Sequence, residues 1–229
     1  MNKIKEFQNL AAIFKSHGFR LFLVGGTVRD YLLSKDLTDM DAVTDATPLD
    51  IVKFLPNTDT TFAHLGSLKY KNENGLKFDI TTLREESGYF DSRHPSEIRF
   101  VKDLKKDYLR RDFTINALYM DDELNIIDYV KGQVDLSNRL IRMIGDPDKR
   151  LKEDPLRILR AVRFALMLNF KIETILLEAM KDRFYLLSNI TDAKIRSELS
   201  KIKEDEIDIS YKKQLYKEFD IANLKGVIK

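Results

Sequence analysis

Residues 22–44, FLVGGTVRDYLLSKDLTDMDAVT, constrain this chain most. An apolar run to Val24 meets a Gly25-Gly26 corner, a short helical stretch follows, and two aspartates one residue apart close the segment. Side chains alternate across a strand, so Asp39 and Asp41, on either side of Met40, point the same way and set two carboxylates together. Such a pair repels unless a cation neutralises it, and hard oxygen ligands suit Mg²⁺. Gly25 and Gly26 lack a Cβ, so the chain can turn tightly and bring backbone N–H groups to a phosphate. A triphosphate with its metal fits the combination. Each half is otherwise ordinary, since Asp-x-Asp pairs occur in surface loops and Gly-Gly in any turn.

The 229 residues suffice for one sizeable domain or two small ones. A net charge of only +2 announces no overall field for a polyanion, and the absence of cysteine excludes disulfides and thiolate zinc sites. His17, His64 and His94 form no ligand spacing. The start, MNKIKEFQNLAAIFKSHGF, lacks a signal-peptide pattern, and no apolar run approaches about 20 residues, so the expectation is a cytoplasmic protein with no membrane span.

Ile4, Phe7, Leu10, Ala11 and Phe14 recur at helical spacing, predicting an amphipathic helix that closes at Gly18. Strands are predicted at Arg20–Val24, Met40–Thr44, Thr61–Tyr70 and Leu76–Arg84, with a helix begun by Thr47-Pro48. Asp79, on the last of these strands, either completes a carboxylate triad or is a solvated strand residue. Arg84–Ile98 reads as a loop, LRRDFTINALYM as a helix with Arg110, Arg111, Asp112 and Asn116 on its polar side, and Ile126–Val130 as a strand. Gly132–Arg142 reads as a linker, and from Lys149 on the pattern is helical. The layout is α+β: a mixed head over residues 1–145, then an all-helical remainder over residues 146–229.

Four stretches carry a resemblance. They are GGTVRDYLLSKDLTDMDAVT, RRDFTINA (Arg110–Ala117), DYVKGQVDLSNRLIRMIGDP (Asp128–Pro147) and EDPLRILRAVRFALMLNFKI (Glu153–Ile172). In order and spacing they resemble the class II tRNA nucleotidyltransferase and bacterial poly(A) polymerase family, among the nucleotidyltransferases built like DNA polymerase beta. The family usually has two glycines where this chain has Lys131-Gly132. YFDSRHPSEIRF is similar to its flexible loop, and ITDAKIRSELSKI to its fifth motif, with Lys194 where an arginine is usual.

The resemblance implies a mixed-sheet nucleotidyltransferase head, a helical neck and a short, truncated helical body. It implies that Asp39 and Asp41 hold two Mg²⁺ ions, that Gly25, Gly26 and Arg29 contact the triphosphate, and that Arg111 and Asp112 select ribonucleotides. An Arg-Arg-Asp sequence is otherwise a commonplace surface ion pair. Asp154, Arg157, Arg160 and Arg163 follow one another at helical spacing, which is more often a solvated face. Cytosine and adenine, however, both present an amino donor beside a ring-nitrogen acceptor, and a carboxylate beside a guanidinium complements that pattern. Asp154 and Arg157 are therefore the expected base readers.

The function implied is addition of CMP and AMP, from CTP and ATP, to the tRNA 3′ end. Alternatives are a CC-adding or A-adding enzyme, a poly(A) polymerase, or a catalytically silent nucleotide- or RNA-binding module. Family members commonly continue for well over a hundred further residues that grip the tRNA. The expectation is a natural minimal enzyme, a fragment, or half of a system in which a second copy or another partner supplies the grip, with binding mainly at the acceptor end.

Overall fold

The computed structural model describes residues 2–38, 40–88 and 97–219. Contacts divide these residues into two compact units, one reaching Gly88 and resuming over residues 97–133, the other beginning at Val134.

The first unit opens with α1 (Lys3–Ser16), whose Phe7, Leu10, Ala11 and Phe14 are buried as their spacing predicts. β1 (Leu21–Val24) is buried throughout and leads through Gly25 into α2 (Gly26–Leu32), followed by β2 (Met40–Thr44). α3 (Pro48–Phe54) starts at a capping box: Thr47 Oγ1 accepts from the Asp50 N–H, and Asp50 accepts from the Thr47 N–H. β3 (Thr58–Asp59), β4 (Ser67–Lys71) and β5 (Lys77–Thr82) follow, then β6 (Arg84–Ser87) and β7 (Glu97–Phe100). α4 (Leu104–Asp107), β8 (Leu118–Met120) and β9 (Ile126–Asp128) complete this unit's strands and helices up to α5 (Gly132–Ser137).

The main sheet has the order β3-β4-β5-β2-β1-β8-β9. β1 lies between β2 and β8, antiparallel to both, while β2 pairs β5 in parallel. Tyr119 on β8 packs in a core with Phe22, Val24, Val43, Leu83 and Leu104.

Several expectations are corrected. Residues 61–70 are not one strand: a 3₁₀ turn, Ala63–Leu65, interrupts them before β4. The predicted loop from Arg84 instead holds β6, paired antiparallel with β7. Residues 89–96 of the flexible-loop resemblance, including His94, lie outside the described residues. RRDFTINA is not a helix, because Arg111 is extended and a single 3₁₀ turn, Thr114–Asn116, precedes β8. Every residue from Asp112 to Met120 is buried, and an apolar run buried on all sides has no helical face to keep. The linker from Gly132 contains α5. Gly132 is there for space: a Cβ would lie 2.3 Å from the Thr114 carbonyl oxygen. Gly132→Ala is expected to destabilise the protein by about 1–3 kcal/mol, read as a lower urea midpoint. Lys131, beside it, has φ +61°, the left-handed conformation that suits the glycine usual at that place.

The second unit holds α6 (Pro147–Glu153), α7 (Leu156–Leu168), α8 (Thr174–Arg183), α9 (Asp192–Leu199) and α10 (Ile209–Glu218). Two short strands, β10 (Leu140–Ile141) and β11 (Lys171–Ile172), pair in parallel, an addition to the all-helical expectation. α7 buries Ile158, Ala161, Val162, Ala165 and Leu166, the face its sequence predicts. Asp154, however, is not on that helix. It has φ −147° and ψ 95° between α6 and α7, as befits a residue that precedes a proline. Among the described residues no helix is long and apolar enough to cross a membrane.

Candidate active site

The register of the central strands builds the site. Asp41 on β2 stands directly opposite Asp79 on β5 in a parallel pair. Partners in register on neighbouring strands share a face about 4.8 Å apart, so the two carboxylates face the same space. Asp41 is exposed and Asp79 half-buried. Asp39 lies outside the described residues. Among the described residues no group of three His, Asp or Glu side chains converges, so the pair is what the sheet itself supplies. Two hard oxygen donors on adjacent strands suit a divalent cation.

The glycine corner is tied to this pair. Gly25 has φ +65° and ψ −126°, a conformation open to glycine, and its N–H donates to the Leu118 carbonyl at 3.1 Å. Thr27, in the first turn of α2, accepts from the Asp41 backbone N–H at 2.8 Å. A Cβ on Gly26 would sit 3.7 Å from Asp41 Oδ2 and 3.6 Å from Arg29 Nη2, so the bare backbone keeps this corner open. Arg29 is buried. Its Nε and Nη2 donate to the Asp30 carboxylate at 2.9 and 3.0 Å, and its Nη1 to Asn116 Oδ1 at 2.7 Å, which braces α2 against the Thr114–Asn116 turn.

A cleft of about 380 Å³ is lined by Asp41 and Asp79 together with Arg84, Arg110 and Arg111. The guanidiniums are held by two acids that sequence reasoning did not single out. Asp107, fully buried, accepts from Arg110 Nε at 2.9 Å, from Arg111 Nη2 at 2.7 Å and from the Tyr119 hydroxyl at 2.9 Å. Glu86 pairs with Arg84 at 2.7 Å and Arg110 at 3.4 Å. Burial alone would raise the Asp107 pKa, but Arg111 and Arg110 outweigh it and hold the carboxyl well below the usual range. Burial pulls Arg111 down, yet Asp107 more than reverses this and the guanidinium stays charged. Burial raises the Tyr119 hydroxyl. The signal for Asp107 was present, because it lies three and four residues before Arg110 and Arg111, the spacing of helical ion pairs. Asp112, next to Arg111, accepts from its neighbour's Phe113 N–H at 2.7 Å and from Asn116 Nδ2 at 3.3 Å.

The second unit holds the remaining predicted residues. Arg157 is buried and donates to the Arg150 carbonyl at 2.6 Å and to Glu153 at 3.3 Å, while Asp154 Oδ1 accepts from the Leu156 N–H at 3.1 Å. Arg160 lies beside the Phe164 ring. Arg163 covers the same ring at 4.1 Å and donates to buried Glu198 at 2.6 Å. Burial would raise the Glu198 pKa, but Lys201 and Arg163 lower it.

Known proteins share this fold. The description "Poly A polymerase head domain" matches residues 21–142, from β1 through β10. The chain belongs to that family. Its nucleotidyltransferase members depend on divalent metal, in keeping with the register-paired carboxylates. The CCA-adding enzyme of Staphylococcus haemolyticus is 43% identical over 198 residues, 86% of this chain and 49% of that protein. That of Lactobacillus helveticus is 44% identical over 186 residues, 81% and 46% of the two. Among solved structures, the Bacillus stearothermophilus CCA-adding enzyme in complex with CTP matches with a TM-score of 0.80 at 32% identity, covering 88% of this chain and 49% of that one. The Thermotoga maritima CCA-adding enzyme complexed with tRNA matches with a TM-score of 0.76 at 28% identity, covering 96% and 52%. The chain spans about half the length of the curated relatives it matches. The mixed-sheet head and following helices are the fold of these family members.

Proposed function

We propose that the chain transfers CMP and AMP from CTP and ATP to the 3′ end of tRNA, completing CCA. The observation that carries this is the in-register pairing of Asp41 with Asp79 at a cleft lined by three arginines. In the transfer, the RNA 3′-oxygen forms a bond to the α-phosphorus, the bond from that phosphorus to the bridging oxygen breaks, and pyrophosphate leaves. Asp39, Asp41 and Asp79 would hold Mg²⁺, which when bound favours the deprotonated 3′-hydroxyl and offsets charge on the triphosphate. Gly25 and Gly26 leave backbone room for the phosphates, with Arg29 bracing the corner. Arg111, preorganised by Asp107, presents a fixed cation to the anionic substrate, and Asp112 offers an acceptor for a ribose hydroxyl. The division of labour is a head to residue 145 and a helical part from residue 146, working in the cytoplasm on the tRNA acceptor end.

Base choice rests on Asp154 as acceptor and Arg157 as donor, with Arg160 and Arg163 continuing the row. Arg157 is built into α6 and α7, so reversing its charge would break a buried ion pair. Asp154→Asn is the cleaner test. An amide offers both donor and acceptor, so it is expected to admit UTP and reduce the preference for CTP over UTP by tens-fold, on the order of 1–3 kcal/mol for a lost pairing. An unchanged preference would place base reading elsewhere.

The activity is tested by supplying tRNA that ends before CCA with each nucleoside triphosphate separately and then together. CTP alone should extend the RNA by two nucleotides, and CTP with ATP by three. A long tail with ATP alone would instead identify a poly(A) polymerase, and no extension a silent binding module.

A further inference from the structure

The cleft that holds Asp41 and Asp79 has a mixed lining, with Phe62 and Leu65 beside its charged groups. Phe62 is 49% exposed and Leu65 38% exposed. Among the described residues no ring or cation contact involves Phe62. The turn that carries it is nevertheless held firmly. The N–H groups of Leu65 and Ser67 both donate to the Phe62 carbonyl, at 3.0 and 3.1 Å, and the Thr82 N–H on β5 donates to the Gly66 carbonyl at 2.8 Å. The Arg84 guanidinium donates to the Leu65 carbonyl. Gly66 has φ +82°, and a Cβ there would lie 2.7 Å from Phe100 Cε1, so the Phe100 ring packs directly on its backbone. An aromatic ring is thus presented on a braced turn beside the two carboxylates.

We propose that Phe62 is a stacking platform for the base of the terminal nucleotide on the RNA end that enters this cleft. The proposal deepens the nucleotidyl-transfer reading and rests on it for the identity of the occupant. A phenyl ring has no donor or acceptor, so it grips any base face without distinguishing among them. That property suits the RNA end and not the incoming nucleotide. The end changes as each residue is added and must be held whatever base it carries, whereas the incoming base must be chosen. Stacking at Phe62 holds the terminal sugar, and with it the 3′-hydroxyl, on the side of the cleft where Asp41 and Asp79 stand. Phe62 acts as a positioning residue for the attacking end.

The chain contains no tryptophan, so Phe62→Trp places a single reporter at this position. Titration with an acceptor-stem RNA minihelix, without nucleotide, is expected to quench its emission saturably. In steady-state transfer, Phe62→Ala and Phe62→Leu should each raise KM for the minihelix by about 5- to 150-fold, leave KM for CTP within about twofold, and be rescued by Phe62→Trp. Leucine keeps apolar bulk without a π face, so a minihelix KM near wild type for Phe62→Leu would overturn stacking. Unchanged emission from the Phe62→Trp variant at minihelix concentrations that saturate transfer would also overturn it, as would a rise confined to the KM for CTP. If the wild type extends no RNA, the nucleotidyl-transfer reading fails on its own account, and the fluorescence titration of Phe62→Trp still decides whether an RNA end stacks there.

Discussion

Replacing Asp41 by alanine is expected to lower CMP incorporation into tRNA by on the order of 10³-fold while leaving the fold intact. Metal-assisted charge stabilisation contributes several kcal/mol, and ~1.4 kcal/mol is one decade in rate. The fold should survive because Asp41 is exposed and alanine keeps the backbone N–H that donates to Thr27 Oγ1. Asp79→Ala, across the strand pair, should cost less, because it removes the half-buried partner. Single-turnover incorporation measures the chemistry, circular dichroism the fold, and a Mn²⁺ titration the loss of cation binding without reference to activity. Near-normal incorporation by the Asp41 variant, or Mn²⁺ binding equal to wild type, would remove the proposed metal site.

The largest stability effect is expected at Asp107. Asp107→Ala strips Arg111 of two hydrogen bonds and Arg110 of one by removing a carboxylate that is itself sealed from solvent, though Arg110 keeps Glu86. Breaking one side of a buried ion pair typically costs about 3–5 kcal/mol, against less than about 1 kcal/mol for an exposed pair such as Lys53 with Asp50. Asp107→Asn keeps an acceptor without the charge and should lose less than alanine. The pH dependence has a definite sign. The folded-state pKa of Asp107 is depressed, so its contribution is fully present above the ordinary carboxylate value of about 3.9 and is lost as pH falls below that towards the folded value. Urea midpoints for wild type and Asp107→Asn should therefore converge as pH drops below about 4. Parallel curves down to the acid limit would show that the Asp107 charge is not what holds the guanidiniums.

The parts of the site legible in the sequence are those whose local pattern agrees with their final environment. The alternation of β2 put Asp41 on a strand, and the Gly-Gly corner and Thr47-Pro48 helix start formed where their residue chemistry demands. Asp79 stayed ambiguous because nothing local says which strand lies beside it; the parallel register with β2 does. RRDFTINA misled because burial on all sides erases periodicity, so a turn and a strand look like a helix. The three-residue spacing of Asp154 and Arg157 suggests one helix, but Pro155 restricts the residue before it and keeps Asp154 extended ahead of α7. Glu198 has no local signal, since the arginine that pairs with it, Arg163, is brought to it through the fold, whereas Glu86 lies two residues from Arg84 on one strand and gains Arg110 only through the fold.

The placement of β1 between β2 and β8 has a consequence for the order in which the molecule can come into being. Synthesis runs from the N-terminus, so Asp41 leaves the ribosome well before the opposing Asp79, and Arg111 and β8 emerge later still. Until β8 arrives, one edge of β1 offers unpaired backbone, and Leu118 is not there to anchor Gly25. A chain made only as far as β2 therefore contains the glycine corner, Asp39 and Asp41 but no cleft. The cleft is complete only once β5 and β8 have both taken their places in the sheet, through pairings that span dozens of residues.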